Sequence, residues 1–288
     1  MKQQSWRNHY LPVFYLRGFT KDSGLFKIFD VEKKQFVQRG KEFSPQSYFF
    51  KKHDNTIFHD DKSSDFVEKG YGDLENKVSK ILAKVDQFSW EEQFGINEYD
   101  VQMIDLFAIL IHWRLPHNKI LLELILKENE LKSLGFSVTN KINGERDIEH
   151  EEMLRNNPEF VKAYKILNAL MDYARGFNCR TPFSIIPKHE QLPYICSDNP
   201  VIFRNKSENV YEDDYVFPLT GKRIFLKTKK RENFDHYIWM LSDILVYKQA
   251  KKYVSCTSVE YLKMLDDTFE KYNMTLEEFK EKFFERLD

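Results

Sequence analysis

The feature that most constrains the fold of this chain is a change in hydrophobic pattern partway along the sequence. Up to about residue 177, most apolar residues recur at helical spacing, and the strongest such pattern runs from residue 97 to about residue 134. From residue 183 to residue 257, short β-branched and aromatic runs alternate with turn residues. This segregation predicts an α+β fold. We expect it to be mostly helical, with a small antiparallel sheet built largely from residues 183–257 and an N-terminal hairpin.

Five helical segments follow from this periodicity. Pro116 should kink or split the longest one, because a proline inside a helix removes a hydrogen-bond donor. Gly70 and Gly72 weaken the first segment. Glu68 and Glu75 are seven residues apart, so on a continuous helix they share a face. The segments are 65–85, 97–134, 158–177, 234–248 and 275–288.

Composition indicates one globular unit with little overall electrostatic bias. A hydrophobic content of 42% over 288 residues is enough for a sizeable core. The 44 basic residues almost cancel the 45 acidic ones, so only local patches could attract nucleic acid or anionic lipid. We predict a single domain over residues 1–288, with the polar segment near 137–152 as a surface insertion.

The sequence predicts a cytoplasmic protein without a membrane partner. Its first ten residues, MKQQSWRNHY, lack the apolar stretch of a signal peptide. The longest strongly apolar run, residues 104–111, is too short to cross a bilayer. The three cysteines, Cys179, Cys196 and Cys256, form no C-x-x-C pair, and an odd number suits a reducing compartment. The oligomeric state stays open.

Common catalytic motifs are missing from the sequence. It contains no P-loop, no G-x-G-x-x-G, no H-E-x-x-H and no G-x-S-x-G. Residues 53–61, HDNTIFHDD, could bind a metal, although a solvated acidic loop is the favoured interpretation. Standard nucleotide-binding, zinc-protease and serine-hydrolase functions therefore lose their support.

Four other stretches place polar residues beside apolar ones. His9 opens the aromatic stretch HYLPVFYLRGF, and Glu75 lies in DLEN on a predicted helix. Arg114 follows the apolar helix in HWRLPHN, and Asp198 and Asn199 follow a short strand in YICSDNP. The Asn-Pro turn would present Asp198 at the mouth of a sheet.

Each of these residues also has a structural interpretation. Asp198 and Asn199 could cap their own turn. Arg114 could form a buried ion pair with Glu75 or with Asp198. His9 could donate to a backbone carbonyl in the core.

The same stretches carry a resemblance to a known family. The chain resembles the bacterial family of domain of unknown function 4238 in its H-Y-L-P-x-x-Y-L-x-x-F, R-x-P, S-D-N-P and F-P-L-T motifs, at residues 9–19, 114–116, 197–200 and 217–220. The opening motif and S-D-N-P are the most specific of these. The resemblance implies one domain of mixed helix and strand, with no assigned activity.

The chemistry of these residues suggests a nuclease. Glu75 and Asp198 could bind Mg²⁺ or Mn²⁺, with Asp198 also catalytic, His9 as a third ligand or general base, and Arg114 facing a phosphate. Residues predicted to bind the substrate are Arg17, Asn199, Lys229, Lys230 and Arg231. We therefore predict a metal-dependent phosphodiester hydrolase acting on RNA or DNA. The alternatives are a module that binds a nucleotide, nucleic acid or peptide without turnover, and a purely structural cluster.

Overall fold

The computed structural model describes residues 6–59, 62–87, 95–176, 182–189, 191–205, 210, 212–228 and 237–287. Helices account for 49% of the structure and strands for 19%. In chain order the helices in these ranges are α1 (Val13–Arg17), α2 (Phe66–Gln87), α3 (Glu98–Arg114), α4 (Lys119–Glu128), α5 (Ile148–Asn156), α6 (Phe160–Gly176), α7 (Ile238–Lys248), α8 (Val259–Tyr272) and α9 (Leu276–Glu285).

The strands are short and are spread over the chain. They are β1 (Arg7–His9), β2 (Phe26–Asp30), β3 (Gln35–Phe36), β4 (Glu42–Phe43), β5 (Phe50–Lys52), β6 (Ile57–His59), β7 (Lys62–Ser64), β8 (Phe183–Pro187), β9 (Ile195–Ser197), β10 (Ile202–Phe203), β11 (Tyr215–Thr220), β12 (Arg223–Lys227) and β13 (Tyr253–Cys256). Over the part of the chain that the structure describes, they form four separate sheets.

The prediction of one small sheet was wrong, although the α+β class holds. One sheet has the order β10-β11-β12-β8, and another has the order β3-β2-β13-β9 with β4 also paired to β2. Segment 183–257 is therefore divided between two sheets, and the N-terminal hairpin β2–β3 belongs to the second. The remaining two sheets are the antiparallel pairs β1–β5 and β6–β7. Periodicity missed this division because it gives strand positions but not long-range pairing.

The β10-β11-β12-β8 sheet separates two hydrophobic cores. Strands β11 and β12 are buried along their whole length. Tyr215, Phe217 and Phe225 belong to a core shared with α1, α2, α3 and α6, whereas Val216 and Leu226 belong to a second core shared with α7, α8 and α9. Successive side chains of a strand point to opposite faces, so both faces of this sheet are covered.

A buried lysine fixes each face of this sheet to a helix. On the first face, Lys227 Nζ lies 3.0 Å from Asp105 Oδ2 on α3. The Tyr215 hydroxyl donates to the other oxygen of the same carboxylate at 2.6 Å. On the second face, Lys188 Nζ, directly after β8, donates to both oxygens of Asp243 on α7 at 2.8 and 2.7 Å.

The second of these pairs also has a tyrosine. The Tyr261 hydroxyl, on α8, donates to Asp243 Oδ2 at 2.6 Å. The side chains of Lys188 and Asp243 are only 2% and 1% exposed. Removing one partner of such a pair leaves a buried charge and costs about 3–5 kcal/mol. Both lysines therefore hold the sheet in position between the helices.

The predicted split at Pro116 is confirmed. Helix α3 begins with a capping box, in which Asn97 and Asp100 each accept from the other's backbone N–H. It ends at Arg114, because Leu115 before the proline adopts an extended conformation. A short 3₁₀ turn then leads into α4. Proline thus places Arg114 at the carboxyl end of a buried helix.

Helix α2 continues through the two glycines that were expected to weaken it. A Cβ atom at Gly70 would lie 3.3 Å from Ile166 Cδ1 on α6, whereas Gly72 faces open space. Gly70 therefore allows the close packing of α2 on α6. Because the helix is continuous, Glu68 and Glu75 lie on one face, as expected.

The apolar run at residues 104–111 lies inside α3, where all eight of its residues are buried. No helix in the described ranges is long and apolar enough to cross a membrane. The run is part of the first core.

The polar segment 137–152 is an ordered turn that leads into α5. Thr139 and Arg146 form an isolated bridge, and Asp147 caps α5 by accepting from the His150 N–H. Arg146 Nη2 donates to Glu151 Oε2 at 2.6 Å. These contacts close the segment on itself. The single-domain assignment stays a prediction.

We predict that Asp172 makes stability depend on pH. It accepts from the Trp113 indole at 2.7 Å, and burial raises the pKa of its carboxyl to about 6 while that hydrogen bond opposes the rise. The folded pKa exceeds the unfolded one of about 4, so the native state binds the proton more tightly and loses stability as pH rises from about 4 to 6. Asp172→Asn should lie within about 0.5 kcal/mol of the parent near pH 4 and exceed it by about 2.5 kcal/mol above pH 6.5.

Urea unfolding of both proteins across this pH range measures the difference. The exposed substitution Asp22→Asn is the control, since Asp22 lies on the surface. A stability difference that stays constant from pH 4 to 7 would contradict the prediction.

Candidate functional site

One face of α2 carries three polar side chains over two helical turns. Glu68, Tyr71 and Glu75 are spaced three and four residues apart, so they lie on the same side of the helix. Helix α3 packs against α2 and ends beside this face at Arg114. With Asn8 on β1 and Asn55 in the turn after β5, these residues form the α2 cluster: Asn8, Asn55, Glu68, Tyr71, Glu75 and Arg114.

Arg114 is the buried cation of the α2 cluster. Its Nη1 donates to Glu75 Oε1 at 2.5 Å, and its guanidinium carbon lies 4.0 Å from the centre of the Tyr71 ring. The Arg114 side chain is 3% exposed, and that of Glu75 is 22% exposed. Burial acts to lower the pKa of Arg114, but the charge and hydrogen bond of Glu75, together with Tyr71 and Glu68, outweigh burial and raise it. Of the two ion pairs considered for Arg114, the structure contains the one with Glu75.

Glu68 is held by two asparagines. Asn55 Nδ2 donates to Glu68 Oε2 at 2.7 Å, and Asn8 Nδ2 donates to the same oxygen at 3.2 Å. The backbone N–H of Asn55 donates to Asn8 Oδ1 at 3.2 Å. Both asparagines are almost fully buried. The Glu68 carboxylate is therefore fixed in orientation by neutral donors rather than by a cation.

His9 lies at the edge of the α2 cluster as a neutral imidazole. Its Nε2 lies 3.3 Å from the Gln46 carbonyl oxygen, which can only accept, so the proton is on Nε2 and Nδ1 keeps its lone pair. Burial lowers the pKa of His9 and the Arg114 charge lowers it further, whereas the Gln46 carbonyl and Glu68 oppose the decrease. The backbone contact expected from the structural interpretation is present. It leaves one ring nitrogen able to accept a proton.

Three buried polar atoms of the α2 cluster have no hydrogen-bond partner among the residues that the structure describes. They are Asn55 Oδ1, Tyr71 Oη and Arg114 Nε. The residues that carry them are 1%, 1% and 2% exposed. Such atoms are rare in native proteins, because each one costs about 1–3 kcal/mol. Their presence in one cluster is typical of a functional site.

A second ion pair lies next to the cluster. Lys165 Nζ on α6 donates to Asp54 Oδ2 at 2.7 Å, and the Lys165 side chain is 1% exposed. Burial lowers the pKa of Lys165, and the Arg114 charge lowers it further. The charge and hydrogen bond of Asp54 act to raise it, but the net shift is downward. These two charges cancel, as do those of Glu75 and Arg114. Glu68 is the charge that remains unbalanced.

Asp198 is placed in a different set of contacts from Glu75. Its two carboxylate oxygens accept from the backbone N–H groups of Lys251, Lys252 and Tyr253 at 2.8, 2.8 and 3.1 Å. Burial raises the pKa of the Asp198 carboxyl, and these three bonds oppose the rise. The acid thus caps the start of β13, in line with the structural interpretation of S-D-N-P.

Asn199 has a similar structural role. Its Nδ2 donates to the Gln249 carbonyl at 3.2 Å, and Gln249 Nε2 donates back to the Asn199 carbonyl. This turn carries the chain from β9 in one sheet to β10 in the other. The motif is therefore needed to join two sheets and α7, and it brings neither predicted residue into the α2 cluster.

Of the remaining residues predicted to bind substrate, the structure describes only Arg17. Arg17 is exposed at the end of α1. Lys229, Lys230 and Arg231 lie outside the described residues. Part of the same basic stretch is the buried strand β12, where Lys227 pairs with Asp105.

The predicted metal pair Glu75 and Asp198 does not share a set of contacts. Glu75 accepts from Arg114, whereas Asp198 accepts from backbone N–H groups before and at the start of β13. No group of three or more His, Cys, Asp or Glu side chains within the described part of the chain is arranged to hold a metal ion. A divalent ion in the α2 cluster would therefore rely on one or two carboxylates and on ligands from the substrate.

The cysteines in the described ranges are free and buried. Burial raises the pKa of both the Cys196 and Cys256 thiols to about 12. Neither is a nucleophile at neutral pH. Cys179 lies outside the described residues.

The aromatic residues of the opening motif and the F-P-L-T motif pack on each other. The Tyr15 ring stacks on Phe217 with centroids 5.4 Å apart, and its hydroxyl donates to the Pro218 carbonyl at 2.7 Å. The Gly221 N–H donates to the Gly18 carbonyl at 2.7 Å. Packing therefore accounts for these rings, whereas His9 stays partly exposed at the start of the motif.

Sequence reasoning missed four members of the α2 cluster. Glu68 was detectable from its seven-residue spacing to Glu75, and Tyr71 from its place between them. Asn8 and Asn55 had no such signal, because a single asparagine in a polar stretch is common. Their role depends on where the strand and the turn pack.

We predict that Asp198 is structural. In Asp198→Asn an amide replaces a carboxylate that accepts three backbone N–H donors, so one donor would face an NH₂ group. The free energy of unfolding should fall by about 2–4 kcal/mol, equally with and without Mg²⁺. Urea unfolding measures this loss, with the exposed Asp22→Asn as control. A loss below 1 kcal/mol, or one seen only with Mg²⁺ present, would contradict the structural role.

Comparison with known proteins gives a family but no activity. The family described as Protein of unknown function (DUF4238) matches residues 7–239, which include all four motifs. No curated protein and no solved structure matches the chain. Because the match covers more than half of the sequence, the chain belongs to the DUF4238 family.

Proposed function

We propose that this protein is a metal-dependent phosphodiester hydrolase that acts on nucleic acid at the α2 cluster. The observation that carries the proposal is the set of unpartnered buried atoms on Asn55, Tyr71 and Arg114. Asn55 and Arg114 bind the two carboxylates of the cluster, and His9, whose pKa is lowered, lies at its edge. Perturbed titratable groups and unsatisfied polar atoms cluster at functional sites more than in structural cores.

The charge of the cluster supports a divalent cation. Glu68 is bound by two neutral amides, and its negative charge is unbalanced. A substrate phosphate beside it would be repelled unless a cation lay between them. Mg²⁺ or Mn²⁺ suits one or two carboxylates together with phosphate oxygens. The ion would stabilise charge on the phosphate, with Glu68 taking the role that sequence analysis gave to Asp198.

His9 supplies the base in this proposal. Nδ1 is free to take a proton from an attacking water, whose oxygen forms a bond to phosphorus. The bond from phosphorus to the leaving sugar oxygen breaks, and that oxygen takes a proton from solvent. A lowered pKa keeps His9 neutral at pH 7, as a general base must be.

Arg114 positions the cluster rather than touching the substrate. Its side chain is 3% exposed and its Nη1 is bonded to Glu75. The positive charge of Arg114 acts to lower the pKa of His9 and that of the Tyr71 phenol. We therefore assign Arg114 to holding Glu75 and to adding to the burial that lowers the pKa of His9.

Basic side chains beside the cluster support nucleic acid as the substrate. Arg7, Lys51 and Lys52 are exposed on β1 and β5, next to His9 and Asn8. Cations that line the path to a site neutralise backbone phosphates. The near-neutral net charge of the whole chain agrees with a local patch rather than general attraction.

A binding module without turnover is the second candidate. The observation that favours it is the closed Arg114–Glu75 pair, whose cation is inaccessible to a ligand. In that case the accessible edge of the cluster, the partly exposed His9 and Glu75, would recognise a nucleotide, nucleic acid or peptide without catalysing a reaction. Cleavage assays separate the two candidates.

We predict that cleavage requires a divalent ion and Glu68. Labelled single-stranded and double-stranded RNA and DNA should be cut with Mg²⁺ or Mn²⁺ and left intact in EDTA. Glu68→Gln should reduce the rate about 10²-fold or more, whereas the exposed Glu123→Gln should not change it. Mg²⁺ alone should barely raise the melting temperature, because so few protein ligands give weak binding. Equal cleavage in EDTA would remove the metal from the proposal.

We predict that His9→Ala reduces cleavage about 10²-fold or more while the protein stays folded. The exposed His150→Ala is the matched control and should retain full activity. In the parent, the rate should fall as pH drops below about 6.5, because protonation of His9 removes the base. Unfolding of His9→Ala, detected by circular dichroism, would show that His9 is structural. A folded parent that binds a substrate but cuts none would favour the binding module.

A further inference from the structure

The outer face of the β1–β5 pair stacks aromatic rings and cations beside His9. Arg7 pairs with Lys52, and His9 pairs with Phe50, so these four side chains share one face while Asn8 points to Glu68 on the other. The Trp6 ring lies 6.4 Å from the Phe50 ring, edge to face. We call Trp6, Arg7, Phe50 and Lys52 the ribbon face.

Cations on the ribbon face lie against the rings. The Arg7 guanidinium carbon is 4.6 Å from the centre of the Trp6 ring and 4.9 Å from that of Phe50. Lys52 Nζ is 5.0 Å from the centre of the Trp6 ring. These contacts order the long side chains and keep their charges close to the aromatic surface.

The tryptophan stays open to solvent although it is large and apolar. Trp6 is 42% exposed, and Arg7 and Lys52 are exposed beside it. Stacking on an aromatic ring needs a base whose face is free, which a duplex offers only at its ends. The cations can meanwhile neutralise the backbone of the same strand.

The ribbon face continues directly to His9. The His9 and Phe50 rings are 5.5 Å apart, so a strand stacked on Phe50 and Trp6 has its backbone near the imidazole. A tight patch of alternating rings and cations is the arrangement found in sequence-tolerant single-strand binders.

We infer that the ribbon face binds single-stranded nucleic acid, with one base stacked on Trp6 and the adjoining phosphates bound by Arg7 and Lys52. This inference rests on the proposed function, since it names the substrate class of the same site. Duplex nucleic acid is excluded from the ribbon face because its bases are already stacked.

Binding is tested without turnover, in EDTA, by fluorescence anisotropy of labelled oligo(dT), oligo(U) and a duplex of equal length. The parent should bind both single strands more tightly than the duplex. Trp6→Ala should weaken single-strand binding about tenfold or more, and Trp6→Phe should retain most of it. Tyr99→Ala, which removes another exposed ring at the start of α3, should leave affinity unchanged.

The cations have a separate readout. Arg7→Ala and Lys52→Ala should each flatten the dependence of log K on log salt by about 0.7, the value for one phosphate on a single strand. The control is Lys271→Ala. Lys271 is an exposed residue of α8, a helix of the second core, and its loss should not change the slope.

The outcomes separate this inference from the proposed function. Equal affinity of parent and Trp6→Ala for single strands, or tighter binding of the duplex, would overturn the inference even if the protein is a nuclease. Trp6-dependent binding of single strands without any cleavage would support the inference and overturn the hydrolase. If Trp6→Ala does not fold, the test relies on Trp6→Phe and on the salt dependence of the Arg7→Ala and Lys52→Ala variants. Salt slopes equal to that of the parent would then overturn the inference.

Discussion

The structure depends on a strand pair that is buried on both faces. Strands β11 and β12 divide the helices into two groups, and each face of their sheet carries a lysine that must be neutralised. Asp105 does so from α3 and Asp243 from α7, each with a tyrosine hydroxyl on the same carboxylate. Because a buried charge without a partner is so costly, these contacts fix the position of α3 and α7 against the sheet.

The position of α3 in turn places Arg114 beside α2 and so completes the α2 cluster. Asp105 anchors the middle of this helix, and Pro116 ends it at Arg114. Arg114 then meets Glu75 on α2, while β1 brings Asn8 to Glu68 at the other end of the same face and leaves His9 at the edge of the cluster. A site made from residues 8, 55, 68, 71, 75 and 114 therefore exists only when α2, α3 and β1 are packed together. The ribbon face adds an exposed aromatic and cationic surface beside it.

The family motifs prove to have two kinds of role. Tyr15 and Phe217 stack across the first core, and Asp198 and Asn199 lock the turn between two sheets. Arg114 and His9 instead belong to the polar cluster or lie at its edge. Motif residues therefore contribute both to packing and to the polar cluster. The residue types at Asp198 do not by themselves distinguish a capped strand start from a ligand-facing turn.

Local sequence determined the long helices α2, α3, α6, α7 and α9, the split at Pro116, the β2–β3 hairpin and the shared face of Glu68 and Glu75, since these depend on periodicity and on single-residue backbone constraints. It did not predict α1, α5 or α8. Only the tertiary structure decided that segment 183–257 is divided between two sheets, that Lys227 is buried, and that Glu75 and not Asp198 pairs with Arg114. These outcomes depend on contacts between residues dozens of positions apart. Such pairings are set by which surfaces fit and which buried charges can be neutralised, and neither is encoded in a local pattern.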